Sequence, residues 1–204
     1  MIKPSILSLL VVSLCLTGAI AVSQIAGDEK PAEKKSAAVK EPGEKPKAKV
    51  SLDTASWEET LKLVAGHKGK KIVVLDAWST SCQPCMKEFP NLVKLHHKYG
   101  DKRVACMSLS CDYQGIKTKP PEFYRQRVVT FLEKQGATFQ NLLASEPAED
   151  LYEKMELASI PAVFVFGLDG KLVKRFDNEQ AKTEEDNFTY EDVNKLVEEL
   201  LKGK

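Results

Sequence analysis

The stretch Lys71-Ile-Val-Val-Leu-Asp-Ala-Trp-Ser-Thr-Ser-Cys-Gln-Pro-Cys-Met-Lys-Glu-Phe-Pro90 constrains the fold more than any other part of the chain. It opens apolar except at Lys71 and Asp76, as expected of a strand buried on both faces, and after Ser79, Thr80 and Ser81 a helical pattern begins at Cys82. A buried strand thus delivers two cysteines to a helix N-terminus. Three residues apart on a helix, Cys82 and Cys85 lie one above the other with Cα atoms roughly 5 to 6 Å apart, within reach of a disulfide. Unpaired N–H groups and the positive end of the helix dipole favour an anion there, so Cys82 is expected to be the thiolate and attacking sulfur. Cys85, a turn deeper, is then the resolving thiol. Pro84 falls in the first helical turn, where its missing N–H costs little and its ring stiffens the loop between the sulfurs.

Cys-Gln-Pro-Cys-Met-Lys-Glu-Phe-Pro resembles the active site of thioredoxin-fold proteins, and most of all the TlpA/ResA-type thiol-disulfide oxidoreductases. Pro90 matches the proline that kinks the active-site helix of that superfamily, whereas Ser81 stands where the family usually has an aromatic residue. The resemblance extends from Trp57 to Leu201. It implies an α/β thioredoxin fold, a central mixed sheet flanked by helices on both faces.

Three further positions gain meaning from it. Asp76 sits mid-strand among apolar neighbours, where desolvation should raise its pKa and suit it to take a proton from Cys85; it matches the buried acid of thioredoxins. Pro161, after Ser159-Ile160, matches the superfamily's cis-proline beside the sulfurs, with Ile160 offering its backbone to an incoming peptide like an added strand. Trp78 resembles the tryptophan that flanks the family's site, and Gln83 and Pro84 complete the expected substrate-facing set. His96 and His97, far down the same helix, are expected to face solvent.

The chain has 204 residues, 30 basic and 29 acidic, for a formal charge of +1, so its balance shows no nucleic-acid footprint. Residues 1–26 carry Lys3, a long apolar run and small residues near Ala21, which is expected to be an export signal or, uncleaved, a membrane anchor. Residues 27–50, rich in Lys, Glu and Pro, are expected to be a disordered linker, and 51–204 the folded domain, outside the cytoplasm. Of the five cysteines, Cys15 belongs to the export segment. Cys106 and Cys111 fall along one expected strand at an odd separation, on opposite faces, and cannot bond to each other there; Cys106 is expected to be a core residue and Cys111 a partly buried thiol.

Along the domain, a helix is expected over Trp57–Ala65 with Ser56 or Asp53 as its cap, then the strand Lys71–Trp78 and the active-site helix to Tyr99, stopped by Gly100. A strand over Arg103–Ser110, a loop over Asp112–Pro121, a helix over Glu122–Gln135, a strand over Phe139–Ala144 and a helix over Ala148–Met155 follow. Ala162–Leu168 and Lys171–Phe176 read as a hairpin about Asp169-Gly170, and Thr189 caps a last amphipathic helix.

The expected function is disulfide exchange with protein substrates, in the reducing direction that the resemblance implies, fed by a membrane-bound electron donor and needing no cofactor beyond the Cys82/Cys85 couple. A copper- or zinc-carrying chaperone is an alternative but needs further ligands, which no histidine is placed in sequence to supply. A peroxiredoxin-like peroxidase is another, although Ser79 stands where that family has a threonine.

Overall fold

The computed structural model describes residues 49–203; the export segment expected at 1–26, and all but the last two residues of the linker expected at 27–50, lie outside them. The elements are β1 (Asp53–Ala55), α1 (Trp57–Ala65), β2 (Ile72–Trp78), α2 (Gln83–Arg103), β3 (Val104–Ser110), α3 (Pro121–Gln135), β4 (Gln140–Ala144), α4 (Ala148–Met155), β5 (Ala162–Phe166), β6 (Leu172–Phe176) and α5 (Tyr190–Lys202). Six strands form one sheet in the order β1-β4-β3-β2-β5-β6. The β1–β4, β4–β3 and β3–β2 pairs are parallel, and β2–β5 and β5–β6 antiparallel.

Every residue of β2 is buried because the strand is central and covered on both faces. Side chains alternate across a strand, so Ile72, Val74 and Trp78 join one core with α2, α3 and α5, while Val73, Leu75 and Ala77 join another with α1 and α4. At about 2 kcal/mol per large apolar side chain, the five in β2 contribute on the order of 10 kcal/mol, enough to carry a charged-group precursor such as Asp76 within the same strand.

The sequence expectations hold closely at most boundaries. Ser56, not Asp53, caps α1: its hydroxyl accepts from the Glu59 N–H at 3.2 Å and Glu59 Oε2 accepts from the Ser56 N–H at 2.8 Å. Asp53 instead opens β1, an unexpected three-residue edge strand registered on Leu142–Ala144. The active-site helix breaks at Gly100, whose φ of 58° favours glycine, before a last turn leads into β3. Pro90 lies inside α2, where the helix forgoes one backbone hydrogen bond. His96 is a correction: it is half-buried with its ring edge-on to Phe139 at 5.4 Å, because it follows Leu95 on the inward side, whereas His97 is exposed.

Candidate active site

Between the end of β2 and the start of α2 the chain makes a tight turn. Ser79 is buried; its hydroxyl lies 2.8 Å from that of Ser81 and accepts from the Ser81 N–H, and its carbonyl accepts from the Cys82 N–H. Asp112, at the end of β3, ties this turn down. Its fully buried carboxylate accepts from the Thr80 N–H at 3.0 Å, the Thr80 hydroxyl and the Ser110 hydroxyl at 2.7 Å, and pairs with Arg127 of α3. Four donors on one carboxylate make burial of its charge tolerable, and each of these charge-assisted bonds is worth more than a neutral one. Sequence reading placed Asp112 in a loop; the buried network around it was not visible there.

Cys82 is the N-cap of α2 rather than its first helical residue, with extended φ and ψ, and Gln83 and Pro84 occupy the exposed first turn. A cysteine in that place can do what a capping hydroxyl does: the Cys85 N–H points at Cys82 Sγ across 3.2 Å. Cys82 and Cys85 form a disulfide with Cα atoms 5.3 Å apart, within the expected range. Their surroundings differ sharply. Cys85 is 2% exposed within the α2-side core, while Cys82 is half-buried at the surface. A thiolate is favoured where N–H groups and solvent meet it and disfavoured where apolar groups enclose it, so the two sulfurs are chemically unequal.

The Ile160–Pro161 peptide is cis, and the Ile160 carbonyl oxygen lies 3.8 Å from Cys82 Sγ. A cleft of about 450 Å³ opens beside the pair, lined by Ser81, Cys82, Tyr152, Ser159 and Ile160 among others. Trp78 does not reach it. Fully buried, it packs between Phe89 and Phe131 with ring centroids 4.7 Å from each, so the expectation of a substrate-facing tryptophan is corrected: even-numbered β2 residues point into the core beneath α2 and α3. Cys111 is also more enclosed than expected, 1% exposed, and burial pushes its thiol well above the usual range; Cys106 is buried on the opposite face of the sheet.

Asp76 is buried on the same face of the sheet as the Cys85 layer. Removal from water pushes its carboxyl up to about 7; the hydrogen bond donated by the Tyr190 hydroxyl to Oδ2 opposes that rise, and the charge of Glu88 adds to it. Oδ1 is buried with no hydrogen-bond partner among the described residues. Tyr190, from α5, was missed in the sequence. The available signal was a phenol on the inward stripe with Val193 and Val197, since a buried tyrosine hydroxyl needs a polar partner. Among the described residues no cluster of three or more His, Cys, Asp or Glu side chains could hold a metal ion.

The Redoxin family model matches residues 28–193. The thiol-disulfide oxidoreductase ResA of Bacillus thuringiensis (strain Al Hakam) is 27% identical over 135 residues, covering 62% of this chain and 71% of its own. The thioredoxin-like protein YneN of Bacillus subtilis (strain 168) is 44% identical over 52 residues, 26% of this chain and 29% of its own. Among solved structures, a thioredoxin-like superfamily protein superposes with a TM-score of 0.52 at 15% identity, covering 68% of this chain and 84% of that one, a likeness of fold alone. With most of the chain matched by one family model and the expected sheet in place, this protein belongs to the redoxin family and is a TlpA/ResA-like member of the thioredoxin superfamily.

Proposed function

We propose that this thiol-disulfide oxidoreductase reduces protein disulfides outside the cytoplasm, through a mixed disulfide on Cys82. The observation that carries the reading is the half-buried Cys82 beside the cleft at a helix N-terminus, bonded to an enclosed Cys85. The reduced protein attacks a substrate disulfide with the Cys82 thiolate; a Cys82–substrate S–S bond forms as the substrate bond breaks, and the departing substrate sulfur takes a proton. The Cys85 thiol then gives its proton to the Asp76 carboxylate and attacks Cys82 Sγ. That step restores the Cys82–Cys85 bond and frees the second substrate sulfur, so two electrons pass to the substrate.

The substrate chain lies along the backbone of Ile160 beside Pro161 in that cleft, and meets the exposed Gln83 and Pro84 next to Cys82. The sulfur pair is the only redox group this chemistry needs. Two electrons must be returned each cycle, and a membrane-bound dithiol donor suits a protein carrying an apolar leader, which also serves as a tether if retained. No described helix is long and apolar enough to cross a membrane.

The test is the reduction potential of the Cys82/Cys85 couple together with turnover of a disulfide-bonded protein supplied with a chemical dithiol. A potential toward the thioredoxin end of the range, about −270 mV, with reduction of the substrate, is the expected result. A potential near −120 mV, with preferential oxidation of reduced chains, contradicts the direction.

A further inference from the structure

The buried carboxyl of Asp76 has an anchor that the two-sulfur scheme does not require. The Tyr190 hydroxyl donates to Oδ2, and 114 residues of sequence separate the two groups, so the pairing exists only because α5 packs against α2 and β5 and so brings its first turn to the β2 carboxyl. That first turn is held in place independently: Asp192 Oδ2 accepts from the Thr189 N–H at 3.0 Å and from the Thr189 hydroxyl at 2.8 Å, and Asn194 donates to the Tyr190 carbonyl at 2.8 Å. Tyr190 is 4% and Asp76 3% exposed. The surrounding groups leave the phenol as the polar partner. Across β5, Asp76 faces Val163 in register; across β3 it faces Ser108, whose hydroxyl is already donated to Asn141 at 2.8 Å. The titratable groups that bear on the pair are Glu88 of α2, Cys106 of β3 and, on the other sheet face, Cys111. None of these can supply positive charge.

We propose that Tyr190 is a positioning residue for the proton-transfer step: by holding Oδ2 of Asp76, its hydroxyl leaves Oδ1 as the oxygen that takes the Cys85 proton, and it keeps the carboxylate available as a base near neutral pH. The inference rests on the assignment of Asp76 as base in the proposed function. The chemistry follows from the asymmetry of the carboxylate. A phenol that stays protonated, as burial and the neighbouring carboxylate ensure here, donates to the charged form of Asp76 and so favours it, opposing the cost of burial. Without that donor the acid would hold its proton to higher pH and would be a poorer acceptor when Cys85 needs one.

The experiment uses the full chain carrying a mixed disulfide between Cys82 and thionitrobenzoate, with release of the chromophore by Cys85 followed across pH. Replacement Tyr190→Phe removes a hydrogen bond to a charged group and is expected to move the acid limb of the profile upward by about one pH unit, with a roughly ten-fold slower release on that limb. Placed in an Asp76→Asn background, the same replacement should move nothing further. Site-specific 3-fluorotyrosine at position 190, a stronger donor with the ring retained, should move the limb downward, which keeps the test available if the phenylalanine variant does not fold. A parallel carbon-13 titration of the Asp76 carboxyl reads the same midpoint without any turnover. An unmoved limb and an unmoved carboxyl midpoint in folded Tyr190 variants, or an equal shift in the Asp76→Asn background, overturn the inference while leaving disulfide exchange intact. Chromophore release by Asp76→Asn at the wild-type rate across pH, with the Asp76 midpoint of the otherwise wild-type chain still shifted by Tyr190→Phe, instead defeats the assignment of Asp76 to resolution.

Discussion

Replacing Cys82 by serine should lower disulfide exchange by roughly three orders of magnitude or more, because the thiolate at the cleft is the nucleophile and an alcohol in its place does not ionise near neutral pH. Replacing Cys85 by serine should do something different. The first attack still occurs, and the chain then accumulates as a covalent adduct with its substrate, since the enclosed sulfur that would displace that substrate is gone. Turnover assays on the two variants, with mass spectrometry of the trapped species under non-reducing conditions, read both outcomes. The asymmetry of exposure around the disulfide makes the assignment directional: Cys82 is half-buried at the cleft and Cys85 is 2% exposed. An adduct found on Cys85, or exchange retained by Cys82→Ser, would reverse it.

The second large effect concerns stability. Burial pushes Asp76 up to about 7 from 3.8, so its folded-state pKa lies above its unfolded one. Below about pH 4 both states hold the proton and the group contributes nothing to pH dependence. Between there and pH 7 the folded state keeps a proton that the unfolded chain releases, so stability falls as pH rises and levels off only above the folded pKa. About three pKa units correspond to a loss of up to about 4 kcal/mol. The Asp76→Asn variant removes the titration, so its urea-unfolding free energy relative to wild type should rise by a few kcal/mol between pH 4 and pH 8. The same variant loses the base for Cys85, with resolution slowed roughly a hundred-fold or more. Stability gained and rate lost in one substitution is the signature of a group kept for chemistry. A variant whose stability difference from wild type is the same at both pH values would show that Asp76 is not desolvated as described.

Much of this is legible in the amino-acid sequence. The run through β2, apolar but for Asp76, reads as a central strand, and Cys82 and Cys85 three residues apart at a helix start could only be neighbours. The hairpin about Asp169-Gly170 followed from turn chemistry, with Gly170 at a φ of 77° that favours glycine. What escaped reading depends on contacts between residues far apart in sequence. β1 is three residues long with exposed Asp53 and Thr54, and it is a strand only because β4 lies beside it. Asp112 and Thr80 are separated by 32 residues, and Asp76 and Tyr190 by 114. Local propensity carries no signal for such pairs. Trp78 was misplaced for a related reason: its residue type matched a surface aromatic, while its even position in β2 put it under the Phe89 and Phe131 rings.

The central claim is that one helix start presents two sulfurs of unequal acidity. Alkylation of the reduced full chain across a pH series, with peptide mapping of the modified residue, tests it most directly. The account predicts that Cys82 is modified first, with a midpoint well below the roughly 8.5 of an ordinary thiol, and that Cys85 lags at every pH. Equal and sluggish modification of both residues, with neither ionising below that value, would contradict it.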